Sequence, residues 1–253
     1  MPSAAPPTAI SPRFLLVLAF FLICGLALHR QWTASPVFVI AFVVSGWIVT
    51  LCLHEGAHAL TAYYGGDHTV AQKGYLTLDP LVYSHPLLTF GLPLLYLFIG
   101  GIGLPGAAVS INTRLLHSRG WDSAVSAAGP AANALCLGLA TLPFALGDPD
   151  SGGGAAFWGA LAFLGWLQIT SILLNLLPIP GLDGFGIIAP FLPGGARAAA
   201  RGAAAGLGFV LLVLMMTPQF GSTVSRVSNR IADSIGLDRD YAQLGYNLFR
   251  FRA

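Results

Sequence analysis

Three ionisable residues, His54, Glu55 and His58, interrupt the otherwise apolar run IVTLCLHEGAHALTAYYGG at 48–66. On a helix, a spacing of four residues is about 400° of rotation, so both imidazoles leave one face a turn apart. They can then hold one cation between them. Glu55 stands beside the first imidazole and can reach a cation-bound water rather than the cation. That is the general-base arrangement of zinc hydrolases. Ionisable groups inside a membrane span are costly, and three within five residues need a joint cause. A divalent cation supplies it, because it binds neutral imidazoles and offsets the carboxylate. Cys52 points away from the ligand face.

A catalytic zinc needs a third protein ligand and an open position for water. Asp183, in NLLPIPGLDG, stands out. It follows an apolar span, and Pro178 and Pro180 break the helix just before it. A broken helix turns side chains and backbone toward an interior cavity. The competing reading of Asp183 is a cap for the following helix.

The elements that must position these groups lie in a bilayer. Only 9% of the 253 residues are charged, against roughly 25% in a soluble domain. Hydrophobic residues make up 55% and mean hydropathy is +0.74. The net charge of +2 is small, and no basic block points to nucleic acid. Cys24, Cys52 and Cys136 lie in apolar runs and form no CxxC, so they read as small buried hydrophobes.

Residues 1–12 read as a disordered Pro/Ala/Ser-rich leader. Phe14 to Leu28 is a first span, retained rather than cleaved as a signal peptide. Pro36 starts the second, with Val37 to Leu53 uncharged and the helix running on to Tyr64 before Gly65 and Gly66 stop it. Further spans are Trp121–Leu146, Ala155–Leu177 and about 202–217. Two short pieces, 74–79 and 107–112, alternate like strands. Between them, 85–106 is apolar but broken by prolines and glycines. The tail 218–253 repeats Val224, Val227, Ile231 and Ile235 at helical spacing. It reads as an amphipathic helix on the membrane surface or docked on the bundle.

Three motifs in order resemble those of the site-2 proteases, the intramembrane zinc metalloproteases of peptidase family M50. They are HExxH at His54–His58, GPxxN at Gly129, Pro130 and Asn133, and NxxPxPxLDG from Asn175 to Gly184. The resemblance covers roughly residues 37–190. It implies one zinc on His54, His58 and Asp183, with Glu55 activating the water. It implies that Asn175 hydrogen-bonds the substrate backbone. Asn133 would sit near the site, serving substrate placement or, equally, close helix packing. It also implies single-span membrane proteins as substrates and a short membrane-dipping β element near the site. The chain looks like a compact bacterial-type member without an inserted PDZ domain.

The expected architecture is therefore an all-α polytopic membrane protein with roughly five to six transmembrane helices, a re-entrant segment and a short β element. The protease domain would span 13–217. His54 and Asp183 must share one membrane face, so 85–106 must enter and return. With the N-terminus inside, Arg13, Lys73, Arg114, Arg119, Arg197 and Arg201 are cytoplasmic, and the site faces the cytoplasmic side of a bacterial inner membrane. Arg226, Arg230, Arg239, Arg250 and Arg252 in the tail conflict with this. His29 and His117 read as interfacial, and His68 and His85 as loop residues near the site. Two rivals are an inactive membrane chaperone and a metal-ion transporter. The first would have lost Glu55 or a ligand, and the second needs polar residues at several depths.

Overall fold

Ser35 and Pro36 launch the helix that carries the HExxH residues. The Ser35 hydroxyl accepts the Val37 N–H, and Pro36 occupies a first-turn position where no N–H is needed. This helix, α2, runs Pro36–Tyr64 over 29 residues. At 1.5 Å per residue it is about 43 Å long, more than a hydrocarbon core of about 30 Å. Gly65 caps it, and Gly66 turns the chain at φ +116°, where a Cβ would meet the Leu115 carbonyl.

The structure is a computed structural model that describes residues 9–83, 109–147 and 152–251. Among these, five helices are long and apolar enough to cross a membrane. They are α1 (Pro12–His29), α2, α4 (Arg119–Leu146), α5 (Ala155–Asn175) and α7 (Gly194–Met215). Shorter helices are α3 (Thr69–Gln72), α6 (Asp183–Ile188), α8 (Pro218–Ser234) and α9 (Arg239–Phe249). The chain is an all-helical integral membrane protein across its described residues, with no strand among them.

α5 is the centre post. It packs on α1, α2, α4, α8 and α9, and Ala160, Ala162, Phe163 and Ile169 are essentially inaccessible. The main core joins Leu28 of α1, Val39 and Val43 of α2, Phe163 of α5 and Phe249 of α9. Phe21 stacks on Phe42 with ring centroids 4.6 Å apart. Lipid tails are as apolar as these side chains, so cohesion within the bilayer rests on close packing and interhelical hydrogen bonds. Gly159 and Gly245 show this: a Cβ on Gly245 would collide with the Gly159 carbonyl.

Several expectations change. Residues 74–79 are not a strand. Tyr75–Thr77 form one 3-10 turn, held between Gly74 (φ 77°) and Leu78 (φ 58°). Two positive-φ residues four positions apart bend the chain out of any extended path, whatever its side-chain alternation. Of 107–112, only 109–112 are described, and they form no strand. Side chains hold that backbone instead. Glu55 accepts the Val109 N–H, Lys73 Nζ donates to the Ser110 carbonyl, and Asp67 accepts the Asn112 N–H. The segment 85–106 lies outside the described residues, as does most of the leader. α1 starts at Pro12, capped by Ser11.

The tail is two helices, broken at Gly236 (φ +73°) and restarted by the Asp238 cap. It is docked, not free: Phe249 is fully buried against α5. Val227 and Ile235, expected on the apolar face, are exposed.

Candidate metal centre and active site

Turn by turn, α2 presents His54, Glu55 and His58 to the bundle interior, all at most 6% exposed. The two imidazole Nε2 atoms lie 3.0 Å apart. Each Nδ1 is spent on an atom that can only accept. His54 Nδ1 lies 2.5 Å from Asn133 Oδ1, and His58 Nδ1 lies 2.6 Å from the Val125 carbonyl. Each Nδ1 therefore carries the proton, and in the neutral ring each Nε2 is a bare lone pair.

α4 makes room for this pair. A Cβ on Gly129 would collide with His58 Nε2 and with the His54 ring. One residue on, Pro130 lacks the N–H that the Ser126 carbonyl would bond in a regular helix. That leaves the Ser126 carbonyl without its usual helical donor, while the neighbouring Val125 carbonyl accepts from His58 Nδ1. Three residues further, Asn133 meets His54. The GPxxN spacing thus supplies a close approach at Gly129 and a hydrogen-bond partner at Asn133 on one face of α4.

Asp183 arrives from the other side of the chain. α5 ends at Asn175, and the Leu176–Leu182 turn includes Gly181 at φ +104°. Gly184 then packs on the Leu176 carbonyl, where a Cβ would collide. This swings the first residue of α6 over the imidazoles. Asp183 Oδ2 is 3.3 Å from His54 Nε2, and Oδ1 is 3.3 Å from His58 Nε2.

Three acceptors now face one another with no hydrogen between them, and buried Asp183 Oδ2 has no hydrogen-bond partner. Such a cluster repels itself unless a cation joins it. Ligand bonds of about 2.0–2.1 Å at tetrahedral angles give edges of about 3.3 Å, close to the 3.0 Å between the two Nε2 atoms, and Asp183 turns one oxygen toward each ring, so the cluster can gather round one zinc. The donor set of two imidazoles and one carboxylate is that of a catalytic zinc site with one position left open.

Glu55 is arranged differently from the ligands. Its Oε2 accepts the Val109 N–H at 3.1 Å, while Oε1 faces the cluster 4.0 Å from His54 Nε2. A cavity of about 330 Å³ opens here, bounded by Trp47, Leu51, Ile111 and Gly181 besides the polar groups. That is room for a peptide segment, not only a water.

All six residues singled out by the sequence line this cavity: His54, Glu55, His58, Asp183, Asn133 and Asn175. Cys52 does not, and packs beside Phe14 and Tyr83. His68 lies against Tyr63 and His29 against Phe157, while His85 is outside the described residues. Sequence reasoning missed Thr50, Gln168 and Ser171, which also line the cavity. The usable signal was their polarity inside apolar spans, where each polar group needs a partner.

An HExxH pair on a spanning helix, closed by an aspartate from a broken helix, defines a membrane zinc metalloprotease. The comparisons agree. The chain is 44% identical over 247 residues to "Putative zinc metalloprotease Rip2" of Mycolicibacterium smegmatis, covering 95% of this chain and 93% of that one. It is likewise 44% identical to the protein of the same name in Mycobacterium tuberculosis, over the same shares. Its identity to "Putative zinc metalloprotease YwhC" of Bacillus subtilis is 32% over 209 residues, 79% of this chain and 91% of the relative. No protein-family model matches the chain, and no solved structure matches it significantly. The chain belongs to the site-2 protease family of zinc metalloproteases.

Proposed function

We propose that this chain is an intramembrane endopeptidase that hydrolyses peptide bonds within or near the transmembrane segments of single-span membrane proteins. The observation that carries this reading is the convergence of three bare donor groups beside the free oxygen of Glu55. It occurs in a cavity enclosed by helices long enough to span the bilayer.

Zinc, when bound by His54, His58 and Asp183, supplies the Lewis acid that polarises a scissile carbonyl and makes water a nucleophile near neutral pH. The rest falls to the chain's own groups. Val109 holds Glu55 Oε2, so Oε1 is the oxygen that takes the proton of the attacking water. Glu55 then passes that proton to the leaving amine nitrogen. Asn133 orients His54 through its Oδ1. Asn175, at the cavity wall with its Nδ2 toward Ser171, binds the substrate backbone near the scissile bond. A substrate helix must unwind to expose that bond, and the extended strand then lies along residues 109–112, whose Val109 and Ile111 face the cavity.

The topology follows the same logic. The His117 N–H donates to the Gly65 carbonyl at 2.8 Å, so α4 starts beside the end of α2. The described residues that flank 84–108 lie at one face of the bundle. Arg13 bonds Asp79, Lys73 bonds Ser110 and Arg197 bonds Asp122 at this same face. By the positive-inside rule that face is cytoplasmic, in a bacterial inner membrane.

The test is Glu55→Gln, assayed on a single-span reporter protein co-reconstituted in lipid vesicles. Cleavage should fall by about 10²- to 10⁴-fold, while zinc content stays at the wild-type level. A Glu55→Gln protein that cleaves at the wild-type rate would sink the assignment.

A further inference from the structure

The partner of His54 is itself held by residues that no motif contains. Asn133 Nδ2 donates to Gln168 Oε1 at 2.9 Å and to Ser171 Oγ at 3.1 Å. Gln168 Nε2 donates to Thr50 Oγ1 at 3.1 Å, and the Thr50 hydroxyl donates to the Trp47 carbonyl at 2.9 Å. Gln168 is 1% exposed, and both ends of its amide are used.

This chain of bonds has one direction. A carbonyl can only accept, so Trp47 forces the Thr50 hydroxyl to donate backward along α2. The Thr50 lone pairs then face Gln168 and require its NH2 end. That leaves Gln168 Oε1 toward Asn133 and requires the NH2 end of Asn133 in turn. Asn133 Oδ1 is left toward His54 and requires a proton on Nδ1. Reversing either amide alone sets donor against donor inside the bundle, where an unmade bond is costly.

We propose that Gln168 is a positioning residue for the metal centre: through Asn133 it fixes which ring nitrogen of His54 keeps the proton, and so keeps Nε2 free for zinc. The relay runs from the backbone of α2 through α5 and α4 and back to α2. It therefore ties the donor state of the ligand to the correct docking of three helices. The inference rests on the reading of His54 as a zinc ligand.

Zinc affinity tests it, measured by competition with a chelator on the purified full chain in detergent. Gln168→Leu keeps the volume and removes both amide ends. It should weaken zinc binding by about 10- to 100-fold, the usual cost of losing such an outer partner. Thr170→Val is the control on the same helix. Among the described residues its hydroxyl bonds only the Leu167 carbonyl, so affinity should stay within about twofold. Zinc affinity within that margin for folded Gln168→Leu overturns the proposal. If Gln168→Leu does not fold, Thr50 decides. Thr50→Val should weaken binding and Thr50→Ser should restore it, and equal affinities for the two overturn the proposal. His54→Ala separates this proposal from its premise. Full zinc binding by His54→Ala removes the site reading itself. Loss in His54→Ala with normal Gln168→Leu removes only the relay.

Discussion

His54 and His58 each spend one ring nitrogen on the protein and keep the other. The spending partners differ, an amide oxygen for His54 and a backbone carbonyl for His58, but both can only accept. That shared property prepares two lone pairs 3.0 Å apart. Gly129 is the residue that permits it, because any side chain there would enter the space of both rings. Gly129→Ala should therefore lower zinc affinity by at least about tenfold without touching a ligand. Normal zinc titration of that variant would show that α4 does not confine the imidazoles. At this scale much was legible. The four-residue spacing of HEGAH required one helix face, and the paired prolines before Asp183 required a broken helix. The role of Asn133 was not legible. Which way its amide points depends on Gln168 and Ser171, whose positions are set by helix packing rather than by spacing.

Whole elements are tied down at two places where sequence pattern misled or said little. The 74–79 stretch alternates, yet its backbone turns, and its last residue anchors α1. Asp79 accepts from the Leu81 N–H, the Ser11 hydroxyl and Arg13. Burial raises its pKa, but these donors outweigh burial and hold the carboxyl below its usual value. A depressed native value means the stabilisation is present above about pH 4 and is lost as pH falls through that value. Asp79→Asn should cost about 1 kcal/mol or less at neutral pH, since Arg13 is largely exposed and screened. In thermal unfolding, the gap from wild type should narrow as pH falls from about 5 toward 3. A gap that widens on acidification would contradict the assignment. The tail is the second case. Helical spacing was readable, but docking was not, because Gly245 against Gly159 is a contact of shape rather than pattern. Gly245→Val should force α9 off α5 and lower the melting temperature, at a cost of about 1–3 kcal/mol. An unchanged melting temperature would mean that α9 is not part of the core.

At the scale of the molecule, one depth organises everything. α2 and α5 both bring their site residues to the same end of the bundle, and α4 begins there too. α7 stands apart. Only Leu211 and Met215 are buried, and Phe209, Val210 and Val213 face outward, where lipid completes the packing. The spans were legible from composition, because a chain this poor in charge has no other way to solvate itself. Their contacts were not, since apolar faces in a bilayer carry little signal about which neighbour they meet. The joining of HEGAH to LDG, more than a hundred residues apart, is the point on which fold and chemistry both depend. Zinc content of the purified protein tests it most directly, comparing wild type with Glu55→Gln and Asp183→Ala. The expected result is about one zinc per chain in wild type and Glu55→Gln, and a large loss in Asp183→Ala, which lacks one of three protein ligands. Full zinc retained by Asp183→Ala would contradict the account.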